Sequence, residues 1–205
     1  MKIIPPSVEI LDTIDPARLM QSLESYGRVC YKSEEKASAD SSGQFIRRLI
    51  RSGHESVIEH EKLSVRFICD RGVTHQLVRH RIASYSQEST RYCNYSKGRF
   101  GGELTFIKPC FWEEGSEAYK MWLQQMQSAE DCYLALLAQK ATPEEARSVL
   151  PNSIKTEIIT TMNLRAWRHF LKLRCAKDAH PQIREVSLML LDMMKELLPD
   201  IFFDL

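Results

Sequence analysis

Apolar positions recur at helical spacing through most of the chain and alternate strictly in a few segments. "DPARLMQSLESYG" (15–27) places Asp15 as a helix cap and Pro16 at the first helical position, and Gly27 reads as the stop. In "SGQFIRRLIRSG" Phe45, Ile46, Leu49 and Ile50 share one helical face, and Gly53 follows. "KLSVRFICD" alternates instead, so Leu63, Val65, Phe67 and Cys69 share one side of a half-buried strand. "GVTHQLVRH" reads as a short helix that puts Arg79 near its C-terminus. "LTFI" (104–107) reads as a short strand, and "SEAYKMWLQQMQSAEDCYLALLAQK" is the longest helical stretch. "TPEEARSVL" carries the capping-box pattern, with Thr142 as cap, Pro143 next and Glu145 three residues on.

Three segments complete the pattern. "IKTEIITTM" is rich in β-formers but leaves strand and helix both open. "NLRAWRHFLKLRC" is a helix that Asn163 can cap, and "PQIREVSLMLLDMMKELLP" is an amphipathic helix near the end of the chain. No internal repeat, low-complexity stretch or linker interrupts the order. The expected fold is α/β of the α+β type, one domain over residues 1–205 with a large helical share.

Composition adds limits. Hydrophobic residues make up 43% and charged residues 27%, which suits a globular chain and argues against disorder. The net charge is +1, so any cationic site must be a local cluster rather than the basic field of a duplex-binding domain. No apolar run approaches membrane-spanning length, and no signal-like segment opens the chain. None of the six cysteines forms a C-x-x-C pair, which argues against a zinc ribbon. A reduced, cytoplasmic protein is expected.

The candidate chemistry begins with "RHRIASYSQESTR" (79–91). Its arginines match phosphate oxygens in a fork, and its hydroxyls add neutral donors. A solvated basic loop is the plain alternative. Lysine is absent, and Val78 and Ile82 bracket "RHR", which favours partial burial. In "NLRAWRHFLKLRC" the apolar stripe of Trp167, Phe170 and Leu171 also carries Arg174. Arg174 either snorkels from the helix end or points into a ligand pocket. Arg165 and His169 lie four apart on another face. "GHESVIEH" holds two histidines and two glutamates, but the spacing is not H-E-x-x-H, and a polar turn is the simpler reading than a metal site. G-x-G-x-x-G, the P-loop and G-x-S-x-G are all absent.

"RHRIASYSQES", with Arg-His-Arg, seven residues and then Ser, resembles the signature of the flavin-dependent thymidylate synthases. "GHESVIEH", "EEARSVLP", "MNLRAWRHFLKLR" and "AHPQIRE" resemble that family's other blocks in the same order. The resemblance implies a sheet flanked by helices and a homotetramer with active sites shared between subunits. It implies bound FAD, dUMP as substrate, and NADPH and methylenetetrahydrofolate as co-substrates, with no metal, nucleic acid or membrane. By position, Ser56, Arg79, His80, Arg81, Gln87, Asn163, Arg165 and His169 would contact FAD. Gln76, Arg79, Gln87, Glu88, Ser89, Thr90, Arg91, Arg147 and Arg174 would bind dUMP.

Arg174 would act in catalysis at the uracil, and Arg91 and Arg147 would hold the phosphate. Ser89 reads as a ligand donor rather than a nucleophile, since no base adjoins it. Many family members carry Asn-Glu where this chain has Ser86-Gln87, so no carboxylate is supplied at 87. From the "CAKDAH" region only His180 is retained for attention. Two rival classes remain at this level. One is a single-strand-binding module using the arginines with Tyr85, Tyr92 and Tyr95 for stacking. The other is a flavin-free hydrolase acting on a pyrimidine monophosphate.

Overall fold

The computed structural model describes residues 1–98 and 101–205. The strands are β1 (Lys2–Ile4), β2 (Ser7–Ile10), β3 (Lys62–Asp70), β4 (Ser84–Gln87), β5 (Thr105–Ile107) and β6 (Lys155–Asn163). The helices are α1 (Pro16–Val29), α2 (Ser41–Arg51), α3 (Arg71–Leu77), α4 (Glu117–Ala138), α5 (Pro143–Ala146), α6 (Leu164–Arg174), α7 (Pro181–Leu197) and α8 (Pro199–Phe202).

An antiparallel sheet in the order β2-β3-β6-β4 forms the centre. The alternation in "KLSVRFICD" holds: Leu63, Val65, Phe67 and Cys69 are all buried. "IKTEIITTM" resolves to strand, because β3 offers it a full-length partner. The ladder runs from Lys62 opposite Asn163 to Asp70 opposite Lys155. Thr156, Ile158, Thr160 and Met162 then point inward. Helices α1, α2, α6, α7 and α8 pack on this sheet around a core that includes Leu23, Ile46, Phe67, Trp167, Phe170 and Phe202.

A second apolar cluster, with Leu104, Phe106, Trp122, Met126, Tyr133 and Ile154, lies between α4 and the parallel pair β1–β5. Within this second cluster Phe106 bridges to Ile154, just before β6.

Gly27 is not the stop. α1 continues to Val29. A Cβ at Gly27 would lie 2.7 Å from the Phe45 ring and 3.3 Å from Leu49. The glycine therefore serves the close approach of α1 to α2, and the chain turns later, at Lys32, where φ is 45°.

Two strand-to-helix joints carry the site. Asp70 ends β3 and accepts the Val73 amide at 2.8 Å, capping α3. Asn163 ends β6 and accepts the Ala166 amide at 2.8 Å, capping α6. Each such cap is worth about 1 kcal/mol. The Trp167 indole N–H donates to the Leu63 carbonyl at 3.0 Å, which fixes the roll of α6 over the sheet. The capping box of Thr142 and Glu145 also forms at α5.

Candidate functional site

The segment that follows α3 and the length of α6, from its Asn163 cap to Arg174, line a cleft of about 1130 Å³. Its walls include Arg79, His80, Arg81, Asn163, Arg165, His169 and Arg174, with Met162, Leu171 and Leu191 as apolar floor. Seven positions assigned from sequence therefore meet in one place. Neither Arg79 nor Arg81 has an ion-pair partner among the described residues, and both are exposed. Arg165 differs, since Glu59 and Glu55 hold it. The Asn163 side chain already caps α6, which leaves its amide N–H groups to face a ligand.

Arg174 does not snorkel. It is half-buried, and its Nε donates to His80 Nε2 at 3.1 Å. Its two terminal nitrogens reach the Gln76 side-chain oxygen at 3.3 Å and the Gln76 carbonyl at 3.4 Å. All three acceptors are neutral, so the guanidinium charge stays uncompensated by any carboxylate among the described residues.

His80 packs edge-on against Phe170 at 5.0 Å and faces His169 at 6.0 Å. Burial, then the charge of Arg174, then His169 lower its pKa to about 4. The ring is neutral at pH 7, with Nε2 as acceptor and the proton on Nδ1. The unfolded chain takes up a proton near pH 6.5, whereas the folded one waits until about 4. The stabilising contribution is thus complete above pH 6.5 and is lost as pH falls through 4. We expect the melting temperature of the wild type to fall more steeply between pH 6.5 and 4 than that of His80→Gln. Parallel curves would show that His80 titrates normally in the fold.

"RHR" is not buried by the apolar residues that bracket it. Val78 is 42% and Ile82 78% exposed, so neither buries the segment. The segment is held instead by Tyr85, whose hydroxyl donates to the Leu77 carbonyl at 2.8 Å and to the His80 carbonyl. Sequence reasoning missed this role. The alternation in "SYSQ" was the available signal, since it places Tyr85 on the inner face of an edge strand.

The remaining assigned positions lie away from the cleft. Gln87 donates its amide to Thr74 Oγ1 at 3.1 Å and Thr156 Oγ1 at 3.2 Å, leaving its oxygen as an acceptor. The Glu88 carboxylate accepts from Lys155 at 2.7 Å and from the Tyr95 hydroxyl at 2.8 Å. It therefore does not replace the carboxylate that Gln87 lacks. Thr90 is buried. The Ser89 hydroxyl accepts the Arg91 amide at 3.2 Å. Arg91 pairs with Glu144 at 2.9 Å, and Glu144 lies one turn before exposed Arg147. This brings Arg91 close to the turn that carries Arg147.

Ser56 lines a smaller hollow of about 320 Å³ with Tyr31 and His54, which shares Glu55 and Arg165 with the main cleft. In "GHESVIEH" the two histidines are used apart. His54 Nδ1 bonds the Tyr31 hydroxyl at 2.8 Å, and His60 packs at a tilt against Tyr26. Among the described residues no group of three or more potential metal ligands assembles. His180 packs against Phe111, outside the cleft lining.

The cleft suits a large anionic ligand. It exceeds the ordinary small-molecule pocket of about 300–1,000 Å³. Its unpaired arginines match phosphates, and its apolar floor matches a flat ring system.

Comparison with known proteins points to one family. The sequence pattern of the family described as Thymidylate synthase complementing protein matches residues 11–200. A flavin-dependent thymidylate synthase of Geobacter sulfurreducens is 37% identical over 184 residues, covering 86% of this chain and 78% of that one. One from Pyrococcus horikoshii is 35% identical over 203 residues, covering 97% of this chain and 82% of the other. Among solved structures, the UMP/dUMP methylase PolB of Streptomyces cacaoi bound with 5-Br dUMP superposes with a TM-score of 0.81 at 26% identity. That match covers 99% of this chain and 96% of the other.

Proposed function

The chain belongs to the flavin-dependent thymidylate synthase family, and we propose that its cleft holds FAD beside dUMP, in an active site completed by other copies of the chain. It is an enzyme that methylates dUMP to dTMP in dTMP biosynthesis. Methylenetetrahydrofolate supplies the carbon and leaves as tetrahydrofolate, and NADPH supplies the reducing equivalents. Family membership sets aside both the single-strand-binding and the flavin-free readings. The observation that carries the proposal is the convergence of Arg79, His80, Arg81, Arg165, His169 and Arg174 on one cleft.

The residues divide the work. Arg79 and Arg81 bind phosphate oxygens of FAD, with Ser56, Asn163, Arg165 and His169 around the rest of the cofactor. FAD held by these residues would supply the hydride that completes the methyl group. Arg174 and Gln76 orient the pyrimidine, and neutral His80 accepts from Arg174 and so aims it. Ser89, Arg91 and Arg147 bind the dUMP phosphate, with Gln87, Glu88 and Thr90 shaping the same segment. This second group lies outside the main cleft of its own chain, which supports its serving the cleft of another copy. Exposed Ile82 and Leu173 at the cleft, with exposed Val78 next to Arg79 in the chain, supply apolar surface for that contact. A homotetramer of single-domain chains acting in the cytoplasm is the assembly we propose. Among the described residues no helix is long and apolar enough to cross a membrane.

The test is a visible spectrum of protein incubated with FAD and gel-filtered, before and after dUMP is added. A retained flavin band that shifts with dUMP is expected. A colourless protein after proven exposure to FAD would refute the reading.

A further inference from the structure

The block "AHPQIRE" lies beside the cleft without lining it, since neither Gln182 nor Arg184 is among the wall residues. Its side chains nevertheless reach both helices that build the cleft. Gln182 Nε2 donates to Asp70 Oδ2 at 2.7 Å. The other oxygen of the same carboxylate caps α3 through the Val73 amide at 2.8 Å. Asp70 is 3% exposed and Gln182 is partly buried, so this contact is a half-buried tie between α7 and the start of α3.

Two residues further on, Arg184 Nε donates to the Cys175 carbonyl at 3.1 Å. Cys175 is the C-cap of α6 and directly follows Arg174. A cation at that end also suits the partial negative charge of the helix terminus. One turn of α7 therefore holds the beginning of α3 and the end of α6.

The cleft depends on the spacing those two ties set. α3 leads into Gln76, Arg79 and His80, and α6 ends at Arg174. The only described polar contacts of the Arg174 side chain bridge the two helices, to His80 and to Gln76. At 3.1–3.4 Å these bonds have little slack, so a shift of either helix by a fraction of an ångström would break them.

We propose that Gln182 and Arg184 are positioning residues that brace α3 against α6, and through that brace aim Arg174 at the reacting pyrimidine. Neither touches a ligand. The proposal rests on the enzymatic reading for its consequence in turnover, but the brace itself is a property of the ligand-free chain.

The experiment therefore has two arms. In flavin-free protein labelled on histidine, the His80 ring is titrated by NMR in the wild type, Gln182→Ala and Arg184→Ala, with His80→Gln used to assign the signal. Gln182→Asn and Arg184→Lys are run alongside, because each keeps polarity while losing the reach or the geometry. The groups facing His80 are Arg174 and His169 from α6, with Phe170 between them and Tyr85 on the His80 carbonyl.

When the brace is cut, Arg174 drifts from His80, its charge no longer opposes protonation, and water enters. The titration midpoint should rise by about half a unit or more towards the ordinary histidine value. In the flavin-loaded enzyme the same variants should lose roughly ten- to hundredfold in kcat, with retained flavin and little change in the KM for dUMP. Variants that melt cooperatively yet leave the His80 midpoint unmoved would overturn the proposal, whether or not turnover falls. Lost turnover with an unmoved midpoint would mean that the block acts on a ligand directly. A moved midpoint in a protein that never binds flavin would keep the brace and reject the enzymatic reading instead.

Discussion

Replacing Arg174 with alanine is expected to cut kcat about 10²–10³-fold, a loss of roughly 2.7–4 kcal/mol of transition-state stabilisation. The flavin should stay bound within about a factor of ten, or about 1.4 kcal/mol. The contrast follows from what Arg174 touches. Among the described residues its three donors meet only His80 Nε2 and the two oxygens of Gln76, all neutral, so the positive charge is held in place but not spent on an acid. Such a charge stabilises negative charge that develops on a pyrimidine, in a half-buried setting where water screens it poorly. Arg79 and Arg81 remain to hold phosphate oxygens, which is why cofactor affinity should survive. Flavin titration and steady-state kinetics on the same variant decide the matter. An equal fall in both would place Arg174 on the cofactor rather than on the reacting ring.

Arg91→Ala should weaken dUMP binding by about 1.5–3 kcal/mol, the scale of a hydrogen bond to a charged group. Two effects compete at this residue. Phosphate must draw the guanidinium from Glu144, its present partner at 2.9 Å. Both side chains of that pair are about half exposed, at 52% and 50%, so the pair itself is worth only about 0–1 kcal/mol. The phosphate contact wins. The variant should therefore lose nucleotide affinity while its melting temperature stays near that of the wild type. Calorimetry with dUMP on the flavin-loaded protein measures the first, and a thermal melt the second. Unchanged affinity would remove Arg91 from the phosphate site, and a large drop in melting temperature would make it a structural residue.

Most of the local structure was legible because each signal is short-range. Asp15, Thr142 and Asn163 cap their helices as their sequence patterns predict, since a cap is decided within three residues, and Asp70 and Ser116, not singled out in the sequence, do the same. The alternation of Leu63, Val65, Phe67 and Cys69 required β3 to bury one face. "IKTEIITTM" was ambiguous for the converse reason, since β-rich apolar sequence takes its form from a partner strand. Gly27 misled because glycine marks both helix ends and close helix contacts. Only the position of Phe45, 18 residues away in sequence, distinguishes the two.

For the site, the sequence alone determined which chemistry was present. It showed arginines without lysines in "RHRIASYSQESTR", an arginine on the apolar stripe of α6, and several ordered blocks that resemble one family. Residue type and periodicity are properties of the chain itself. The tertiary structure decided how those groups are spent. It directed Arg174 to His80 rather than to water, joined Glu88 to Lys155, and paired Arg91 with Glu144. It separated the two arginine groups that the sequence had presented as one run. Charge pairing and burial here depend on contacts between residues 53 to 94 positions apart in the chain, and those contacts exist only once β3 and β6 have paired and α3 and α6 have been set against one another.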